Sequence, residues 1–98
     1  MNKLTRHDLV SLEVILKEMK LIYRQFGKHD KLISIDNILH KLDSLLHEKE
    51  LSNYIFNKDS ILILNSCLID FINYFTSKGL INISEEALRL NELINNYE

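Results

Sequence analysis

The chain has 98 residues, 46% of them apolar and 27% charged, with no Pro, no Trp and two Gly. That length admits one domain, residues 1–98, with a core able to fold without disulfide or metal staples, and the composition is far from that of disordered chains. Twelve Lys and Arg against fourteen Asp and Glu give a net charge of −2, so the chain lacks the basic field with which a dedicated nucleic-acid binder displaces counterions from phosphate, and no nucleic-acid partner is expected.

In the first segment Leu9, Leu12, Leu16, Met19, Tyr23 and Phe26 recur at steps of 3, 4, 3, 4 and 3, the spacing that keeps side chains on one face of a helix. Val10, Ile15 and Ile22 widen the stripe to the breadth a bundle core needs. Thr5 is a natural N-cap with Asp8 at the third helical position, and Gly27 suits a left-handed C-terminal residue. After the polar turn at residues 28–31, a second helix carries Ile35, Ile38, Leu39, Leu42, Leu45 and Leu46, with Ser34 or Asp36 as its cap. Its end is left between Leu46 and Phe56, because Leu51, Tyr54 and Ile55 extend the pattern.

Asn57 and Asp59 supply turn and cap chemistry for a third helix, in which Ile61, Leu64, Leu68, Phe71 and Phe75 step by 3, 4, 3 and 4. Leu62, Ile63, Ile69 and Ile72 leave only a narrow polar stripe of Asp59, Ser66, Asp70, Asn73 and Ser77, so this helix is expected to be the most buried. Ser77, Lys78, Gly79 and Leu80 read as a Schellman ending. A short apolar link then leads to Ser84, expected to cap a fourth helix whose stripe is Ile83, Ala87, Leu90, Ile94 and Tyr97. No stretch alternates as a strand does. The expected fold is all-α, an antiparallel up-down-up-down four-helix bundle.

Charge is uneven along the chain: residues 1–31 hold seven basic and four acidic groups, whereas residues 80–98 set Arg89 against Glu85, Glu86, Glu92 and Glu98. The first and last helices are therefore expected to pack side by side and attract. A lone cysteine, Cys67, fits a reducing compartment, and the first ten residues hold no apolar h-region. The most apolar run, Ile61 to Phe75, is broken by Asn65, Asp70 and Asn73 and falls short of the roughly 20 residues that cross a bilayer. The expectation is a cytoplasmic protein with no transmembrane segment.

Little in the sequence reads as reaction chemistry. Asp36, His40, Asp43 and His47, spaced 4, 3 and 4, form a stripe of metal-capable groups, but it points away from Leu39, Leu42 and Leu46 and reads as a solvated face. His7 and His29 have no carboxylate or cysteine constellation around them, and Cys67 reads as a small core residue. There is no Walker loop, GxGxxG, GxSxG or CxxC, so neither catalysis nor a cofactor or metal is expected. Tyr54, Ile55 and Phe56 form an apolar cluster that caps the bundle end or, if exposed, binds a partner. The C-terminal stretch from Asn91 to Glu98 mixes amides, acids and an aromatic in a way that suits recognition.

The order of features in the last two helices (the Ile61 to Leu64 start, Leu68-Ile69-Asp70, Ile72, Lys78-Gly79, Ser84 and the Leu88 to Leu93 repeat) resembles bacteriocin immunity proteins of the enterocin A type. The similarity covers roughly residues 32–94, and the first helix agrees in character only. The resemblance implies a left-turning antiparallel four-helix bundle that protects its cell from a pore-forming class IIa, pediocin-like bacteriocin. It would act from the cytoplasmic side by binding the mannose phosphotransferase permease with bacteriocin bound, and it leaves peripheral membrane contact open. Specificity in the family is associated with the last helix and tail, which corresponds here to Arg89, Glu92, Asn95, Asn96 and Tyr97. The chain differs in being slightly acidic where many members are basic, and in ending at Glu98 without an extended tail. The alternative is a helical adaptor or phage-type regulator that binds another protein through Tyr54 and Phe56.

Overall fold

The computed structural model describes residues 4–47 and 57–95. Within them lie four helices: α1 (Arg6–Gln25), α2 (His29–Leu46), α3 (Lys58–Ser77) and α4 (Ile81–Asn95). They form an all-α antiparallel bundle with principal extents of 37 × 26 × 22 Å. Thr5 and Asp8 make the expected cap of α1 reciprocally: the Asp8 N–H donates to Thr5 Oγ1 at 3.1 Å, and the Thr5 N–H donates to Asp8 Oδ2 at 2.9 Å. Two orphan donors of the first turn are thereby satisfied. Asn57 caps α3 in one direction, its side chain accepting from the Ser60 N–H at 2.7 Å.

Both glycines end helices. Gly27 and Gly79 have φ of +69° and +78°, a conformation that side chains with a Cβ resist. At each, the next residue folds back onto the helix: the Lys28 N–H reaches the Tyr23 carbonyl at 2.8 Å and the Leu80 N–H reaches the Phe75 carbonyl at 2.9 Å. These are two Schellman turns, and they make the connections tighter than the sequence pattern suggests. The second helix starts at His29 rather than after residue 31, with Lys28 at the cap position and no side-chain cap. Ser34 instead donates to the Asp30 carbonyl inside the helix, and Asp36 pairs with Lys20 at 2.6 Å. The fourth helix likewise starts at Ile81, so Ser84 is not its cap. Ser84 is buried one turn inside, where Thr76 Oγ1 donates to its hydroxyl at 3.1 Å across the α3–α4 interface.

The most buried helix is α1, contrary to expectation. It touches all three other helices and contributes Leu9, Leu12, Ile15, Leu16, Met19, Ile22 and Tyr23 to the core. From α3 come Leu64, Cys67, Leu68 and Phe71, while Leu62 is 67% exposed. Val10 and Phe26, expected on the inner stripe of α1, are exposed, as is Ile83 of α4. Contacts are dense within the α1–α2 and α3–α4 pairs and sparse between the pairs, so the bundle is built as two hairpins laid together. At 20 residues, α3 is long and apolar enough to cross a membrane by length and composition alone; the 15-residue run understates it because the helix extends past both ends. Here its apolar face lies in the bundle core.

Leu68 is fully buried in the core to which all four helices contribute. Leu68→Ala is expected to cost about 2–5 kcal/mol of unfolding free energy, the cavity cost of a leucine core site, measured by urea denaturation.

Candidate functional site

The hairpins are joined across one side of the bundle by a polar cluster. Tyr23, on the inner face of α1, donates its phenol hydroxyl to Asp70 Oδ2 on α3. Lys31, in the first turn of α2, reaches the same oxygen at 2.6 Å and Ser66 Oγ at 3.2 Å, and its ammonium lies 5.1 Å from the centroid of the Tyr23 ring. Burial pushes the Asp70 carboxyl up, but Lys31 and Tyr23 together hold it below its ordinary value. Burial, and then the hydrogen bond to Asp70, push the Tyr23 phenol far above its own. Three helices thus share one carboxylate.

Beside the cluster, α2 and α3 leave a shallow groove of about 240 Å³ lined by Asp30, Lys31, Ser34, Leu62, Ile63, Ser66 and Cys67. Serine and lysine within hydrogen-bond distance at the edge of a groove suggest a nucleophile and its base. The geometry runs the other way: the Lys31 ammonium is paired with Asp70 and donates to Ser66. Cys67 is 2% exposed, and burial pushes its thiol up to about 11. It is the small core residue the sequence suggests.

A second polar group ties α4 to the start of α1. Arg89 Nη2 meets Asp8 Oδ1 at 2.8 Å, and Arg89 Nε meets Glu86 Oε1 at 2.7 Å. Glu86, and then Asp8, raise the guanidinium further above its ordinary value. The Arg89 hydrogen bonds hold the Glu86 carboxyl low, while for Asp8 burial is outweighed by the Thr5 N–H and Arg89. The first and last helices do pack together as their charges suggest, but this pair has the opposite polarity. It joins a carboxylate of the basic segment to the one cation of the acidic segment.

Arg89 therefore lies half exposed in an intramolecular triad, and the exposed Glu92 follows it on α4. Asn95 accepts from Asn65 Nδ2 at 2.8 Å across the α3–α4 seam. Asn96, Tyr97, Tyr54 and Phe56 lie outside the described residues. In the helix-2 stripe Asp36 pairs with Lys20, and His47 Nδ1 contacts the Asp43 backbone carbonyl at 2.7 Å. Among the described residues no three metal-capable side chains converge.

Sequence reasoning placed Tyr23 in a core stripe and Asp70 in a polar one without joining them, and it passed over Lys31 altogether. A phenol at a core position and an aspartate inside the most apolar run are both groups that need a buried partner, and that is the signal that pairs them. Comparison with protein-family models, curated proteins and solved structures finds no match to this chain.

Two outcomes are expected. The folded-state carboxyls of Asp8, Asp70 and Glu86 lie below their unfolded values, so their stabilisation is complete above the unfolded carboxylate range near pH 4 and is lost as pH falls through the lower folded values. Urea midpoints should hold level down to about pH 5 and then decline, less steeply in Asp70→Asn. Cys67 should react with a thiol reagent only as fast as the bundle opens, so that its labelling rate rises with destabilising core substitutions.

Proposed function

We propose that the protein acts by contact rather than catalysis, as a bacteriocin immunity protein of the enterocin A type. The reading rests on the resemblance in the last two helices, and the observation that carries it is how the bundle uses its polar groups. The ion pairs and hydrogen bonds described above join one helix to another around a leucine-rich interior, and α4 turns Glu92 and Asn95 outward toward the end of the chain. Short polar side chains on a helix buttressed from behind can recognise a partner with little ordering cost. In this reading the face of α4 and the residues after it meet the mannose phosphotransferase permease with a class IIa bacteriocin bound, from the cytoplasmic side, and close the pore.

Expression in a bacteriocin-sensitive strain, with the protein's presence verified, tests this. Protection is expected against one or a few members of a class IIa panel, and the paired substitution Glu92→Lys with Asn95→Lys, verified as folded by circular dichroism, should abolish it. Unchanged killing across the whole panel contradicts the proposal, and so does protection that survives the paired substitution.

A further inference from the structure

We propose that the end of the bundle bearing both hairpin turns docks on an anionic lipid bilayer, with Phe26, Leu80, Ile81 and Ile83 entering the interface and Arg24, Lys28 and Lys78 engaging headgroup phosphates. The proposal stands independently of the immunity reading.

Four of the large apolar side chains left in water lie in the two turns of this end: Phe26 is 59% exposed, Ile81 60%, Ile83 45% and Leu80 44%. They come from two turns far apart in the chain that are held side by side. The Phe26 ring meets the edge of Tyr74 at 6.5 Å between centroids, and the Lys78 ammonium lies 4.9 Å from the centroid of the same Tyr74 ring. Phe26, Tyr74 and Lys78 therefore make one surface, and Leu80 and Ile81 follow Lys78 through the turn.

Charge is graded along the bundle axis toward that surface. Residues 24–31 and 74–83 carry Arg24, Lys28, Lys31 and Lys78 against the single carboxylate Asp30. The next carboxylates inward are Asp70, bound by Lys31, and Glu85. At the far end Arg6, Lys58 and Arg89 are balanced by Asp8, Asp59 and Glu92. A depression of about 410 Å³ lined by Gly27, Lys28, His29, Asp30 and Lys31 lies at the start of α2, where no side chain caps the helix and the positive end of its dipole favours an anion.

This chemistry favours a bilayer over a protein partner. At the boundary between headgroups and acyl chains, apolar tips enter hydrocarbon while long basic stems keep their charges at phosphate level. A docking helix would instead require a continuous groove or stripe, whereas these four side chains are divided between two turns.

Co-sedimentation of the full chain with vesicles tests the inference, using phosphatidylcholine alone and phosphatidylcholine with roughly one-third phosphatidylglycerol. Binding is expected on the anionic vesicles, weakening with salt, and much less on the neutral ones. Lys28→Glu with Lys78→Glu should weaken it at least about tenfold, since each basic residue near such a surface contributes substantially. Phe26→Ser with Ile81→Ser, verified as folded by circular dichroism, should weaken it comparably and leave a residue of binding that high salt removes. Lys41→Glu with Lys58→Glu, the same charge change away from this end, should leave it nearly intact. Four results overturn the proposal: no sedimentation with anionic vesicles; equal loss in the Lys41/Lys58 variant; saturation by inorganic phosphate without vesicle binding; and a dimer of the native chain that Phe26→Ser with Ile81→Ser dissociates.

Discussion

Two glycine-ended helices impose the constraint from which the rest of this structure follows. Gly27 and Gly79 each allow the chain to reverse within a few residues, so α1 with α2 and α3 with α4 form tight hairpins whose partners pack extensively. The contact between hairpins is thinner and combines buried leucines with shared polar groups. The carboxylate of Asp70 is held by Tyr23 of one helix and Lys31 of the next, and a phenol at that depth would otherwise lose a hydrogen bond to water without replacing it. At the opposite end Arg89 closes α4 against the capped start of α1. The two fastenings differ in kind: the first adds a buried hydroxyl to a partly exposed ion pair, whereas the second sets a half-exposed guanidinium on a buried carboxylate, and the ion pair in each is subject to screening.

This economy of polar groups bears on what the molecule can do. Lys31 and Asp70 pair at 2.6 Å beside a groove of about 240 Å³. Away from that pair the bundle offers surfaces of distinct character at different places: a polar face along α4, and an end where apolar and cationic side chains lie around two turns. A rigid bundle that presents such surfaces suits recognition, because its contact residues are ordered before a partner arrives.

Much of the fold was legible because helical period and punctuation act locally. Steps of three and four residues marked all four helices, Thr5 with Asp8 and Asn57 marked two starts, and the glycines marked two ends. The misreadings share one cause. Ser34, Asp36 and Ser84 looked like caps because Ser and Asp favour that position, but the Schellman turns had already brought the chain into helix, one turn before Ser84 and about two before Ser34 and Asp36. The burial ranking of the helices was a tertiary property: α3 is the more apolar, yet α1 turns more of its residues into the shared core while Leu62 and Ile69 of α3 face solvent. The pairing of Tyr23 with Asp70, 47 residues apart in sequence, is likewise invisible to any periodicity. Of the residues that the resemblance assigns to recognition, Arg89 is tied down within the chain. Its bond to Asp8, 81 residues away, requires the bundle to be closed before it can be seen.

The union of the hairpins through a shared carboxylate is tested most directly by a double-mutant cycle on Tyr23→Phe and Asp70→Asn, followed by urea unfolding at neutral pH. The fastening described here predicts a coupling energy of about 0.5–3 kcal/mol, the range for residues in one hydrogen-bonded network. Losses that add to within about 0.3 kcal/mol would mean that the two side chains act independently and that apolar packing alone joins the halves.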